Sequence, residues 1–204
     1  MTEIRHIVFD IGKVLIHYDP EIPFRRIIAD DRRRAWFLSE VCSPQWNVEQ
    51  DRGRNWQDAE MELIDRFPDE ADNIRAFRQN WNEMVPYAYE RSVAILQQLL
   101  SDGHDVTMLT NFASDTFREA QAKYPFLVAS RGVTVSGDIG IIKPDPAIYA
   151  RHTKDFGLEA AATLFIDDSE KNVIAAREFG WSAVLFEDAE GLVRDLSDRG
   201  IAVD

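Results

Sequence analysis

Short apolar runs that end in polar residues recur along the chain and predict the strands of a β-sheet. The clearest runs are 6–9 before Asp10, 106–109 before Thr110, 163–166 before Asp167 and 183–186 before Glu187. A weaker candidate covers 132–136. Because these runs are continuously apolar and rich in β-branched and aromatic residues, they are typical of strands that are buried on both faces.

Helical patterns fill the intervals between these runs. The predicted helices cover 90–100, 114–123 with Ser114 as a possible N-cap, 146–156 after Asp145-Pro146, and 169–179. Gly157 and Gly180 stand where two of these helices should end, since glycine readily adopts the left-handed conformation that closes a helix. The alternation predicts an α/β fold with a Rossmann-like parallel sheet core and helices on both faces.

The segment 17–88 interrupts this alternation because it contains no convincing strand run. It is predicted as helices at 21–28, 32–41, 55–67 and 70–84. Four of the five tryptophans lie here, and we expect them mainly to pack in a small core of the segment itself, with room for one or two to line a substrate cleft. Its arginines at 25–26 and 32–34 are expected on solvated helix faces. We therefore predict a catalytic core of 1–16 and 89–204, with an inserted all-helical cap of 17–88.

The charge balance narrows the range of partners. The 204 residues include 23 Lys and Arg against 36 Asp and Glu, which gives a formal net charge of −13. Binding to nucleic acid or to an anionic membrane relies on basic residues, so we expect neither. Cys42, the single cysteine, cannot form an internal disulfide, which fits a reducing compartment. Glu3 and Arg5 interrupt any signal sequence, so we expect a cytoplasmic protein.

Residues of chemical interest follow the predicted strands. Asp10, Thr110-Asn111 and Asp167-Asp168 come directly after three of them, and Lys143 lies in the loop before the helix at 146. Each of these alone is explained by a turn, a helix cap or a solvated loop. Together they indicate a ligand site, because the carboxyl ends of parallel strands meet at one edge of a sheet. We expect Lys143 to be exposed at the rim of that site.

This set of side chains suits the handling of a phosphoryl group. Carboxylates that lie close together repel one another, and a site of oxygen ligands without Cys or paired His favours Mg²⁺. Lys143 and the metal would offset negative charge, while Thr110, Asn111 and backbone N–H groups can bind phosphoryl oxygens. A carboxylate that is not fully committed to the metal can act as a nucleophile and form an aspartyl-phosphate.

Four motifs, which occur in the family's order, resemble the haloacid dehalogenase superfamily, whose members are mostly phosphatases. They are Phe9-Asp10-Ile11-Gly12-Lys13-Val14-Leu15, Leu109-Thr110-Asn111, Lys143-Pro144-Asp145-Pro146-Ala147-Ile148-Tyr149 and Phe165-Ile166-Asp167-Asp168-Ser169-Glu170-Lys171-Asn172. The segment 17–88 is similar to the small helical C1 cap of subfamily IA. Gly12 and the Arg52-Gly53 step are similar to the bacterial branch that includes α-D-glucose-1-phosphate phosphatase.

The resemblance implies a role for each acidic candidate. Asp10 would attack phosphorus, and Mg²⁺ would be held by Asp10, the backbone carbonyl of Gly12 and Asp168. Asp167 would be a further metal ligand or a partner behind the ligands, and which of Asp167 and Asp168 contacts the metal directly stays open at this point.

The resemblance also implies how the substrate is bound. Thr110 and Lys143 would bind the transferring phosphoryl group, with Asn111 as a further substrate-binding residue. The implied function is Mg²⁺-dependent hydrolysis of a small phosphorylated metabolite, with sugar phosphates among the candidates. The substrate itself and the oligomeric state stay open.

Gly12 is a departure from the pattern of most phosphatases in the superfamily, which have a second aspartate there as general acid and base. His17 and Tyr18, in the loop after Leu15, are candidates to replace it, although loop or packing roles are the simpler interpretation. Two other functions therefore stay open. One is a 2-haloacid dehalogenase, which uses the same nucleophile without a metal, and the other is a decayed enzyme that binds Mg²⁺ and phosphate without turnover.

Overall fold

The computed structural model describes residues 3–203, and these residues form one parallel sheet of five strands. The strands are β1 (His6–Phe9), β2 (Asp105–Thr110), β3 (Val133–Val135), β4 (Thr163–Asp167) and β5 (Ser182–Leu185). Their order across the sheet is β3-β2-β1-β4-β5, and all neighbours are parallel. The predicted strands and fold class are confirmed. Met1, Thr2 and Asp204, which belong to the predicted core, lie outside the described residues.

The central strand β1 sets the position of the strand ends. Phe9 pairs with Met108 of β2 and with Ile166 of β4, so the chain leaves all three strands at the same edge of the sheet. Alternate side chains of β1 point to opposite faces, with Phe9 in one buried cluster and Val8 in the other. Burial on both faces explains why the strand sequences are apolar throughout.

Six α-helices lie within residues 17–88, which follow β1. They are α1 (Glu21–Ile27), α2 (Asp31–Trp36), α3 (Pro44–Asp51), α4 (Trp56–Arg66), α5 (Ala71–Gln79) and α6 (Trp81–Met84). The predicted helix 32–41 changes to π-helical geometry at Phe37, and the predicted helix 70–84 is divided at Asn80. Helix α3 was not predicted, although Ser43 caps it by accepting from the Trp46 N–H.

Six more helices accompany the later strands. They are α7 (Glu90–Ser101), α8 (Ser114–Lys123), α9 (Ser136–Ile139), α10 (Pro146–Phe156), α11 (Glu170–Phe179) and α12 (Ala189–Ser197). Gly157 and Gly180 end their helices in the left-handed conformation, as predicted. Ser114 is the first residue of α8, whereas Ala113 occupies the cap position. Helices α9 and α12 were not predicted.

The residues 17–88, which we call the helical insertion, share their hydrophobic core with the sheet. Phe24, Phe37 and Phe77 of the insertion belong to the same buried cluster as Ile7 and Phe9 of β1. The expectation of a separate small core was therefore wrong, because the apolar faces of these helices are buried against the residues around β1. The division into a core and a cap stays a prediction.

Arg34 corrects a second expectation for the insertion. It is buried, with 8% of its surface exposed, and it was predicted on a solvated face. Its guanidinium donates to Glu21 at 2.7 Å, to Asp31 at 2.6 Å and to the Ile28 carbonyl oxygen at 3.0 Å. This arginine therefore joins α1 and α2.

Among residues 3–203, no helix is long and apolar enough to cross a membrane.

Candidate active site

A cavity of about 360 Å³ lies at the carboxyl ends of the strands. Most of the predicted site residues line it, namely Asp10, Gly12, Thr110, Asn111, Lys143 and Asp168. Asp167, the remaining one, is fully buried and ends β4. The structure therefore brings the predicted residues together, as expected from strand ends that meet at one edge.

Lys143 is buried beneath the cavity and is not an exposed rim residue, so this expectation was wrong. Only 2% of its surface is accessible. Its Nζ lies 2.8 Å from Asp10 Oδ1 and 2.7 Å from Asp167 Oδ2, and it donates to the Leu109 carbonyl oxygen at 3.1 Å. Burial alone would lower the pKa of Lys143, but the charges of Asp10 and Asp167 outweigh it and raise that pKa. Lys143 is therefore charged, and it holds both carboxylates in place.

Asn111 fixes the backbone of Lys143. Its amide Nδ2 donates to the Lys143 carbonyl oxygen at 3.0 Å, and the Lys143 N–H donates to Asn111 Oδ1 at 2.8 Å. These two bonds engage both polar atoms of the side chain that was predicted to bind substrate. Asn111 therefore positions Lys143, in addition to lining the cavity.

Asp167 and Asp168 are adjacent in sequence but have different surroundings. Asp167 contacts Lys143 and also accepts from the Ser169 N–H at 2.8 Å and from Asn172 Nδ2 at 3.0 and 3.1 Å. Asp168 is partly buried and lines the cavity, and among the described residues its carboxylate accepts only from its own backbone N–H. Asp168 is therefore the more open of the two toward an ion in the cavity.

The three carboxylates fit a divalent cation. One oxygen each of Asp10, Asp167 and Asp168 lie within 4.8 Å of one another. Burial, together with the charges of Asp167 and Asp168, raises the pKa of Asp10 to about 7, although Lys143 opposes this shift. One buried ammonium thus leaves an excess of negative charge, which a hard cation with oxygen ligands such as Mg²⁺ would neutralise. The buried Asn172 Oδ1 has no hydrogen-bond partner among the described residues and is a further oxygen in the cavity wall.

Gly12 leaves open space beside Asp10. A Cβ added at Gly12 would meet no heavy atom within 4 Å, and the backbone there is not left-handed. Packing therefore does not require a glycine at this position. Nearby, the hydroxyl of Thr110 faces the cavity without a hydrogen-bond partner among residues 3–203, so it is free to donate to a bound group.

The two candidates to replace the missing acid lie in different places. His17 does not line the cavity, because its Nδ1 is 2.9 Å from the Tyr89 hydroxyl and its ring stacks on Tyr87. Tyr18 lines the cavity, but burial, followed by the charge of Asp51, raises the pKa of its phenol above the ordinary value. The Tyr18 hydroxyl is therefore a weaker acid than an exposed phenol.

The helical insertion contributes another wall of the cavity. Asn47, Asp51, Trp56 and Trp81 line it, so two of the four tryptophans of the insertion face this space. A second cavity of about 340 Å³ has Tyr18, Asn47, Asp51 and Lys171 in common with the first.

Several other residues of these walls were not predicted as site residues. Among them are Asn47, Asp51, Lys171 and Asn172. The start of α3 at Ser43-Pro44 was the one local signal for the first two, since an N-cap serine before proline is typical of a helix N-terminus. No local signal distinguishes Asp51 from the other acidic residues of the insertion.

Comparison with known proteins points to one family. The sequence pattern of a family described as haloacid dehalogenase-like hydrolase matches residues 4–180. All seven predicted site residues lie within that range.

Two curated relatives have names that refer to hydrolysis of phosphorylated small molecules. A sesquiterpene phosphatase of Aspergillus oryzae is 27% identical over 181 residues, which are 88% of this chain and 88% of that protein. A chloroplast flavin mononucleotide hydrolase of Arabidopsis thaliana is 33% identical over 109 residues, which are 53% of this chain. The match spans 44% of the Arabidopsis protein.

A solved structure has the same fold. The magnesium complex of a HAD family enzyme from Bacteroides thetaiotaomicron matches with a TM-score of 0.75 and 22% sequence identity. The match covers 95% of this chain and 100% of the Bacteroides chain. At this identity the similarity concerns the fold.

Proposed function

This chain belongs to the haloacid dehalogenase-like hydrolases, and from that premise we propose that it is a Mg²⁺-dependent phosphatase. It would hydrolyse a small phosphorylated metabolite through an aspartyl-phosphate on Asp10. The observation that carries this proposal is the arrangement of Asp10 with Lys143 and two further carboxylates at the base of one cavity.

Asp10 is suited to attack phosphorus because its two oxygens differ. Oδ1 accepts from the Ile11 N–H at 2.7 Å and lies 2.8 Å from Lys143 Nζ. Oδ2 has no donor among the described residues. The bonds to Oδ1 hold the carboxylate in one orientation, and Oδ2 is left as the nucleophilic atom.

The metal site in this proposal consists of Asp10, the Gly12 backbone carbonyl and Asp168. When bound, Mg²⁺ supplies positive charge that offsets the charge of the phosphoryl group. Asp167 orients Lys143 from behind, because three donors already occupy its carboxylate. Its position behind the cavity favours Asp168 as the direct ligand.

Lys143 and Thr110 would stabilise the transferred phosphoryl group. The charge of Lys143 lies next to the attacking carboxylate, so it also lies next to the phosphorus that this carboxylate approaches. The Thr110 hydroxyl is free to donate to a phosphoryl oxygen. Preorganised donors of this kind are worth about 2.7–4 kcal/mol each in a transition state.

The cavities indicate a substrate of metabolite size. The space at the strand ends is about 360 Å³, and the adjoining space of about 340 Å³ extends into the helical insertion. The names of the two relatives, a sesquiterpene phosphatase and a flavin mononucleotide hydrolase, agree with a small phosphate ester. A sugar phosphate stays among the candidates, as does membership of subfamily IA and of the glucose-1-phosphate phosphatase branch. We also propose that residues 17–88 form the cap of a cytoplasmic enzyme.

The test is phosphate release from a panel of phosphate monoesters, measured with Mg²⁺ and with a chelator, for the wild type and Asp10→Asn. We expect turnover that requires both Mg²⁺ and Asp10. Halide release from 2-haloacids in the presence of chelator would instead identify a dehalogenase. Mg²⁺ and phosphate binding without turnover of any ester would identify a non-catalytic binding protein.

A further inference from the structure

Asp51, the last residue of α3, brings a fourth carboxyl group to the cavity that contains Asp10. It is partly buried, and its side chain has a single donor among the described residues, the backbone N–H of Ala113. Within the described residues, no basic side chain forms an ion pair with Asp51. An acidic group so close to a phosphate-binding site is unfavourable unless it is protonated or serves the reaction.

The structure holds Asp51 firmly against the core. Ser136 Oγ donates to the Asp51 carbonyl oxygen at 2.5 Å and accepts from the Phe112 N–H at 2.8 Å. Gly53 follows with a φ of +98°, and a Cβ there would lie 2.8 Å from the Gly137 carbonyl oxygen. Only glycine permits this close approach. The insertion is therefore tied to the core at the point where Asp51 enters the cavity.

The surroundings of Asp51 favour its neutral form. Burial, with a further contribution from the charge of Asp10, raises the Asp51 pKa to about 7, and the Ala113 hydrogen bond opposes this only in part. The other titratable groups of the two cavities are Lys13, Tyr18, Cys42, Lys143, Asp168 and Lys171. A carboxyl group with a pKa near the working pH is well matched to donate and accept a proton.

We propose that Asp51 is the general acid and base of the reaction, in place of the side chain that Gly12 lacks. This inference rests on the proposed phosphatase function. In the first step Asp10 Oδ2 forms a bond to phosphorus, the bond between phosphorus and the leaving oxygen breaks, and the Asp51 proton goes to that oxygen to give an alcohol. In the second step water attacks phosphorus and gives a proton to the Asp51 carboxylate, and the bond to Asp10 breaks to release phosphate.

The experiment compares Asp51→Asn with the wild type on aryl and alkyl phosphates of graded leaving-group pKa. The substituted amide keeps an oxygen for the Ala113 N–H but has no acidic proton. General acid help is typically worth about 10²–10⁴-fold, so we expect kcat/KM for alkyl phosphates, which reports on the first step, to fall by that factor. The kcat/KM for 4-nitrophenyl phosphate, whose leaving group departs without a proton, should fall less than about tenfold. Asp65→Asn, an exposed acid of the same insertion, is the matched control and should leave both rates unchanged.

A loss of kcat/KM that is equal for all esters, or no loss, would overturn the inference, because a binding or structural role does not depend on the leaving group. Asp51→Ala is the second variant, and it should give the same leaving-group pattern if it folds. A wild type without Mg²⁺-dependent release from any ester would instead overturn the proposed function.

Gly12 offers an independent test by rescue. Because a side chain fits at Gly12, Gly12→Asp can supply an acid there. We expect Gly12→Asp to restore alkyl phosphate turnover at least tenfold in the Asp51→Asn background. A double variant that retains the full leaving-group dependence of Asp51→Asn would contradict a shared role of the two positions.

Discussion

The two walls of the cavity are built in opposite ways. At the strand ends, Asp10, Asn111, Lys143 and Asp167 are joined by short hydrogen bonds and ion pairs that leave few polar atoms free. In the wall from the helical insertion, Asp51 has a single donor, and the side chain of Asn47 has no hydrogen bond among residues 3–203.

This difference separates the groups that hold the nucleophile from the groups that face the rest of the substrate. A network in which each charge has fixed partners can hold a nucleophile in one geometry at no cost during the reaction. Side chains without fixed partners are available to contact a substrate, and they can be substituted without disturbing the orientation of the nucleophile. Substitutions at the strand ends should accordingly have large effects on every substrate, whereas the effects of substitutions in the insertion should depend on the substrate.

Asp10→Asn should have the largest effect. The amide cannot form the acyl phosphate, so we expect turnover to fall by at least about 10⁴-fold. The variant should stay folded, because replacing this buried carboxylate with a neutral side chain reduces the excess of negative charge in the site. Phosphate release and thermal unfolding measure both properties. Turnover within tenfold of the wild type would mean that the nucleophile lies elsewhere.

Lys143→Met should lower both activity and stability. Removal of one member of a buried ion pair costs about 3–5 kcal/mol of unfolding free energy, and loss of its charge should lower turnover by about 10²–10³-fold. The loss of stability should be smaller at pH 5 than at pH 8, since Asp10 can then be protonated. Urea unfolding at the two pH values checks this.

Lys171→Met is the matched control for that variant. Lys171 is exposed and lines both cavities without an ion pair among the described residues. Its substitution should change the unfolding free energy by less than about 0.5 kcal/mol. Equal losses from the two lysines would contradict the distinction between the walls.

Asp51 should make a pH-dependent contribution to stability. Its pKa of about 7 exceeds the value of about 4 expected in the unfolded chain. The folded protein therefore binds the extra proton, and stability is lost as the pH rises from about 4 to 7. Across this window, the unfolding free energy of Asp51→Asn should rise by about 1–2 kcal/mol relative to the wild type. Partial exposure of the side chain to solvent keeps this gain small. Parallel stability curves of the two proteins would show that the Asp51 pKa is ordinary.

Asn47→Ala should have the smallest effect. This side chain lines both cavities and is absent from the bonded network of the strand ends. We expect KM for larger esters to change by up to about tenfold, with kcat nearly unchanged, since a lost ground-state contact alters binding alone. KM and kcat for a short and a bulky phosphate ester measure this. A large fall in kcat for both esters would place Asn47 in the catalytic machinery.

The limits of prediction lie mostly in the insertion. The strands were predicted because each is buried on both faces and is therefore apolar along its whole length. Helix α3 was missed because its sequence has no clear apolar stripe, and the helix at 70–84 was predicted as continuous although it is divided at Asn80. These helices are short and take their stability from packing against the core.

The sequence by itself determined the strands, in their order along the chain, and which carboxylates follow them. A parallel sheet then brings those strand ends to one edge, so the positions of Asp10 and Asp167 next to each other follow from local signals. The burial of Lys143 and the entry of Asp51 into the cavity were decided by the tertiary structure alone. Their surroundings consist of residues distant in sequence, such as Asp167 for Lys143 and Ala113 for Asp51. Burial and charge are set by such neighbours, and no local pattern records them.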